Sequence, residues 1–207
     1  MGGGVACAAW AVVAPASAAE TAEPPYGRVE GDASLVVGLG AVAASRGPRA
    51  EAELRVRYLE TAGVFVTYED AFGAGAATPQ RVLAGGFEIR PLFLLRWLRG
   101  MERAQPWSDL VIDSLGLELG ATWAEPSAPA IPWQAGALLG LGVEVPLGTR
   151  ATGPWVGVHG GLRWSEAALA TGAVRSADER SVVLALTLAW HELVMTHVVD
   201  LGDRAPE

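Results

Sequence analysis

Residues 136–145 have the sequence GALLGLGVEV, which is one of the clearest alternating segments of the chain. Hydrophobic side chains recur at every second position, as in Leu139, Leu141 and Val143, whereas Gly140 and Glu144 occupy positions between them. A period of two predicts a β-strand whose two faces meet different surroundings. Ten residues exceed the roughly 5–6 of an average strand in a soluble protein. They match the roughly 9–11 that a tilted strand needs to cross a bilayer.

Seven further stretches alternate in the same way, which predicts eight strands in total. The eight predicted strands cover residues 34–43, 53–58, 64–69, 87–90, 115–120, 136–145, 156–164 and 184–191. We therefore predict an all-β protein, an antiparallel up-and-down β-barrel of about eight strands spanning residues 30–195.

Composition excludes several classes of protein. The chain has 207 residues, 51% of them hydrophobic and 18% charged, which excludes a disordered chain. Its net charge of −8 argues against nucleic-acid binding, which needs a basic surface. The single cysteine, Cys7, excludes a disulfide framework and a cysteine-rich zinc site. The sequence contains no lysine and no asparagine, so the Asn-Gly hairpin signal cannot occur in it.

The first residues resemble a secretory signal peptide. Gly2 to Ala14 is uncharged and mostly small or apolar, and Ala16-Ser17-Ala18 supplies the small residues of a cleavage site. We expect a signal peptide at residues 1–18, a flexible lead-in at 19–29 and a C-terminal tail at 196–207.

The two faces of the predicted strands differ in size and charge. One face carries Leu, Val and aromatic side chains, and the other carries mainly Gly, Ala, Thr and charged residues. Small and ionic residues suit the inside of a narrow barrel, where buried charges need partners. We predict an inward ionic network of Arg55, Arg57, Glu88, Arg90, Glu118, Glu144, His159 and Arg163. Such a network would plug the barrel; the alternative is a polar pore or a small-solute site.

Connection lengths give a second prediction. With both chain ends on the periplasmic side, the second, fourth and sixth connections should be short. Two of these connections are short as expected, at residues 60–63 and 148–153. The connections on the opposite side are the longer 70–80, 124–132 and 165–180 and the short 45–49. The segment 90–113 is too long for a periplasmic turn and predicts a helix, a long turn or a strand extension.

Tryptophans mark several predicted strand ends. Trp123, Trp133, Trp164 and Trp190 are predicted to form an aromatic girdle at the edges of an apolar band. Trp155 shares the parity of His159 and Arg163, so we expect it to point inward.

Together, these features resemble the small outer-membrane β-barrels of Gram-negative bacteria. The resemblance covers roughly residues 30–195 and rests on the signal peptide, the eight amphipathic strands, the connections and the edge tryptophans. It implies an outer-membrane location, contact with outer-membrane lipid and an architecture related to that of porins. It implies no particular activity.

Candidate catalytic and metal residues are few. His191, Glu192 and His197 lack the histidine spacing of a metalloprotease, because Met195 occupies the required position. His159 near Glu144 would need Ser165 or Ser181 to complete a hydrolytic site, and no motif joins them. We therefore predict no catalytic site, no cofactor and no metal.

Three functions remain open at this point. The leading hypothesis is an outer-membrane barrel with a plugged interior and a role in structure, adhesion or envelope stability. The alternative is a secreted or periplasmic lipocalin-like barrel, in which the Leu and Val faces would point inward around an apolar ligand. The third is an outer-membrane enzyme that modifies lipid through His159.

Overall fold

The computed structural model describes residues 32–45, 47–73, 79–99, 106–125, 133–171 and 180–195. The predicted signal peptide, lead-in and tail lie outside these ranges. The strands are β1 (Asp32–Ala44), β2 (Gly47–Tyr58), β3 (Ala62–Asp70), β4 (Arg81–Ile89), β5 (Gly116–Ala124), β6 (Gln134–Pro146), β7 (Gly153–Ser165) and β8 (Arg180–Met195).

The eight strands form one closed antiparallel barrel. Each strand pairs with the next in sequence, and β8 pairs with β1 to close the ring. This confirms the predicted all-β, up-and-down architecture. We call the end where β1 begins and β8 finishes the terminal end, and the opposite end the far end.

Several strands extend beyond their predicted limits because backbone pairing continues past the apolar alternation. The prediction that residues 45–49 form the first connection is wrong. Val42 pairs with Arg49 and Ala44 pairs with Gly47, so strand pairing includes residues 47–49 of the predicted connection. Arg49 therefore lies in β2 and faces the interior.

The segment predicted as helix, long turn or strand extension contains two short helices. They are α1 (Pro91–Leu98) and α2 (Pro106–Asp113), and each begins with a proline, which suits the first helical turn because its missing N–H would have no partner there. The second helix ends at Asp113, and β5 begins at Gly116. A third helix, α3 (Glu166–Thr171), follows β7 at the far end.

The helix α2 covers the terminal end of the barrel. Leu110 is buried against Ala151 and Trp155, with Leu193 packed beside them. Arg96 of α1 binds Asp109 and Asp113 of α2, the latter at 2.8 Å from Nη1, and so ties the two helices together.

The large apolar side chains lie on the outside of the barrel. Leu39, in the middle of β1, is 68% exposed, whereas Val36 and Val42 on the inward face of the same strand are buried. Every strand exposes such residues, among them Leu35, Val37, Leu54, Val56, Val64, Val66, Leu83, Phe87, Leu117, Leu119, Leu139, Leu141, Val158, Leu184, Leu186 and Leu188. A lipocalin-like barrel needs these faces inside, so the orientation expected for that alternative is not the one observed.

The turn between β2 and β3 is strained. Leu59 and Glu60 have φ of 50° and 52°, and the Thr61 amide donates to the Tyr58 carbonyl at 3.1 Å. Positive φ at both central positions is the pattern of a type I′ turn, which favours Asn and Gly. A residue with a Cβ costs about 1–2 kcal/mol in this region.

We expect Leu59→Asn to stabilise the protein by about 0.5–1 kcal/mol relative to Leu59→Ala, because Asn tolerates positive φ and Ala does not. Urea unfolding, followed by tryptophan fluorescence, measures the difference. Equal midpoints for the two variants would show that the turn is not strained.

Candidate functional site: the ionic interior

One strand, β2, supplies more of the charge inside the barrel than any other described strand. Arg49, Glu51, Glu53, Arg55 and Arg57 alternate along β2 and are all buried. Other strands contribute fewer inward charges each, such as Glu69 on β3, Glu88 on β4, Glu118 on β5 and Glu144 on β6. The interior is thus built from one densely charged strand and several partners.

Arg55 is the centre of the network. Its Nη1 atom donates to Glu118 at 2.6 Å and to Glu88 at 3.0 Å, and its Nε atom donates to Glu53 at 2.8 Å. The Nη2 atom lies 3.1 Å from Nδ1 of His159, and the same Nδ1 atom lies 2.9 Å from Oε1 of Glu118. The Arg55 guanidinium also lies over the ring of Phe65, 5.5 Å from its centroid. Arg55 therefore connects side chains of five other positions in the lumen.

A second set of ion pairs lies closer to the terminal end. Arg57 donates to Glu88 through Nε at 3.1 Å and to Glu144 through Nη2 at 2.8 Å. Arg90 donates to Glu88 at 3.0 Å and also binds Glu144. Because Glu88 and Glu144 are each shared between arginines, removal of one carboxylate leaves several buried cations with fewer partners.

Glu60 extends this set from the turn between β2 and β3. Its carboxylate accepts a hydrogen bond of 2.8 Å from Arg90. Burial opposes ionisation, but the guanidinium groups of Arg90 and Arg57 outweigh it and hold the pKa of Glu60 below its usual value. The stabilisation is therefore present at neutral pH and is lost as the pH falls through the lowered pKa.

The terminal end is closed by polar and aromatic contacts. The Trp155 and His191 rings stack with their centroids 4.4 Å apart, and His191 lies 3.7 Å from Glu144. The hydroxyl of Ser114, just after α2, donates to the Glu144 carbonyl at 2.6 Å. These contacts join the cap formed by α2 to the ionic interior.

The far half of the lumen has a smaller cluster and a small cavity. Glu69 accepts from Arg49 at 2.8 Å and also binds Arg163. A cavity of about 30 Å³ lies between this cluster and Arg55, with Glu51, His159, Thr67 and Phe65 in its wall. A water molecule needs roughly 10–15 Å³ by this measure, so the cavity has room for about two. It is too small for an organic solute.

Glycines make the space that the charged side chains occupy. A Cβ atom built on Gly142 would lie 2.8 Å from Cε1 of His159, and one on Gly38 would lie 2.5 Å from the Glu53 carboxylate. One on Gly140 would lie 2.9 Å from the Glu118 carboxylate. The inward glycines of β1 and β6 therefore leave the space that charged side chains of the neighbouring strands occupy.

The structure brings all eight predicted network residues into the lumen. Seven of them are buried, and Arg163 is largely buried at the far end. The sequence analysis omitted Arg49, Glu51, Glu53, Glu60, Glu69 and His191. The alternation on β2 and β3 already placed Glu53 and Glu69 with the inward set, whereas Arg49 was assigned to a connection.

The predicted girdle tryptophans lie outside the barrel core. Trp123 and Trp133 are exposed near the far end, and Trp190 is exposed near the terminal end, where its Nε1 atom donates to Glu192 at 3.0 Å. Trp164 is half-buried near the far end of β7. Trp155 points inward, as its parity predicted.

The residues considered for catalysis have other partners. Nδ1 of His159 contacts Arg55 and Glu118, and the Ser165 hydroxyl accepts from the Ala168 amide at 3.2 Å at the start of α3. His191 stacks on Trp155 in the interior, and His197 lies outside the described residues. Across the described segments, no three His, Cys, Asp or Glu side chains form a group that could hold a metal ion.

Sequence comparison adds no family to this description. No protein-family model matches the chain, and no curated protein is detectably similar to it. In the parts of the chain that the structure describes, no helix has the length and apolar character needed to span a bilayer.

We expect Glu88→Gln to destabilise the barrel by about 3 kcal/mol, because it leaves Arg55, Arg57 and Arg90 short of a buried partner. Asp70→Asn is the matched control: Asp70 binds Arg81 at 3.2 Å, but Arg81 is 50% exposed, so the loss should be at most about 1 kcal/mol. The free energies of urea unfolding of the two variants are compared. Similar losses for both variants would mean that the interior pairs contribute no more than a surface pair.

We expect Gly142→Ala to destabilise the protein by about 1–3 kcal/mol by displacing His159 from Glu118. Gly160→Ala serves as control on the adjacent strand, since a Cβ there meets nothing nearer than 3.9 Å. The unfolding midpoints of the two variants are the measurement. An unchanged midpoint for Gly142→Ala would refute the idea that inward glycines make room for the network.

Proposed function

We propose that this protein is a small β-barrel of a bacterial outer membrane, with a closed ionic lumen and a structural role in the envelope. The observation that carries the proposal is the inversion of polarity. Apolar side chains cover the outside of the strands, and arginines and glutamates fill the inside. In water this arrangement exposes a large continuous apolar surface, which soluble monomers rarely do. In a bilayer the same surface is solvated by lipid.

The distribution of outward charges supports a membrane band. Among the described strand residues, the charged side chains that face outward are Asp70, Arg81, Arg180 and Glu192. Asp70, Arg81 and Arg180 lie at the far ends of their strands, and Glu192 lies near the terminal end of β8. The strands are 9–16 residues long, which is sufficient for a tilted strand to cross a bilayer of ordinary thickness.

The closed lumen supports a structural role rather than transport. Ion pairs cross the lumen at the level of Arg55 and again at the level of Arg57, and α2 covers the terminal end. Beside Arg55, the cavity of about 30 Å³ has room for about two water molecules and not for a wide aqueous path. In a role in envelope stability or adhesion, the barrel serves as the membrane anchor, and the far-end connections supply the surface that makes contacts.

The first test is fractionation of expressing bacteria, followed by gel electrophoresis of boiled and unboiled protein. We expect the protein in the outer-membrane fraction, with a mobility that shifts on boiling because a closed barrel resists the detergent until heated. A periplasmic protein whose mobility does not change on boiling would contradict the proposal.

Conductance in planar bilayers separates the structural role from a pore. We expect no steady single-channel current from the wild-type protein, because the interior ion pairs block the lumen. Sustained ohmic channels from protein that passes the boiling test would leave the membrane location intact and overturn the structural role.

A further inference from the structure

The helix α1 presents a leucine face away from the barrel. Leu94, Leu95 and Leu98 are all exposed, and Leu98 is 67% exposed. At 100° per residue these positions span an arc of about 100° on one side of the helix. Three exposed leucines on a single arc form an apolar stripe of the width that amphipathic helices normally bury.

The side of the same helix that carries its arginine, Arg96, is turned inward together with Phe93. Phe93 is buried, and Arg96 lies against α2, where it binds Asp109 and Asp113. A helix that faces water puts its arginine outside and its leucines inside. The α1 arrangement is the reverse, just as the strands reverse the polarity of a soluble barrel.

Trp107 on α2 adds an aromatic group to this surface. Its Nε1 atom donates to the Pro146 carbonyl at 3.0 Å at the end of β6, and the side chain is 49% exposed. A tryptophan with its donor satisfied and its ring partly uncovered is typical of the boundary between lipid and water. Arg99, exposed directly after α1, supplies a cation of the kind that favours lipid headgroups.

The leucine face continues the apolar outside of the barrel. Ile89, the last residue of β4, is exposed two residues before α1 begins, and Leu115 and Leu117 are exposed just after α2 ends. We propose that α1 and α2 lie in the membrane interface at the terminal end, with Leu94, Leu95 and Leu98 in the acyl-chain boundary of that leaflet. This inference rests on the proposed membrane location, and its occupant is lipid.

Site-specific fluorescence in lipid nanodiscs tests this placement. Single-cysteine variants of the full chain, Leu98→Cys, Leu39→Cys and Thr149→Cys, are prepared with Cys7→Ser and labelled with a polarity-sensitive dye. Leu39 reports the middle of β1, and Thr149 reports the exposed turn between β6 and β7 at the same end as the helices. Nanodiscs contain lipid brominated either near the glycerol backbone or deep in the acyl chain.

We expect shallow bromine to quench the label at position 98 by about two-fold or more, with less quenching by deep bromine, because an interfacial helix lies about 5–10 Å into the boundary. Deep bromine should quench position 39 most, and neither lipid should quench position 149. Quenching at 39 without quenching at 98 would overturn the helix placement and leave the membrane barrel standing. A label at 98 that is blue-shifted yet unquenched would assign the face to a second copy or another protein. No quenching at 39 would refute the membrane location itself.

Discussion

Buried guanidinium and carboxylate groups pair with each other across the lumen, and the barrel closes at a register that makes this pairing possible. An arginine inside a narrow barrel has lost most of its hydration, and only carboxylates within hydrogen-bonding distance compensate that loss. Arg55, with Glu53, Glu88 and Glu118 around it, meets the condition by drawing on three strands. The ring of strands therefore has to close at the register that brings those side chains together.

The same charges fix which face of each strand points inward. A shift of one residue in β2 would turn Arg55 and Arg57 outward and Leu54 and Val56 inward. In a soluble barrel such a slip exposes apolar groups, but in a bilayer it places charges in the hydrocarbon, which costs several kcal/mol per charge. Buried ion pairs add little net stability compared with apolar packing. Their value here lies in selecting one register.

Periodicity was sufficient to predict the barrel and much of its interior, since parity alone determines whether a strand residue faces in or out. It failed where the sequence shows no alternation of apolar and polar residues. The half of β2 before Glu53 contains Pro48, Ala50 and Ala52 on its outer face, so no apolar alternation marked Arg49 as a strand residue. Glu60 enters the network from a turn with positive φ, and turn geometry of that kind leaves no periodic trace.

The unequal sizes of the inward side chains explain why the barrel is filled rather than open. The charged side chains extend into the lumen, and inward glycines on neighbouring strands leave room for them, as Gly38 does beside Glu53 and Gly142 beside His159. Long charged side chains therefore lie beside glycines of the neighbouring strands, and the space that those glycines leave inside the barrel is the space that the charged groups fill.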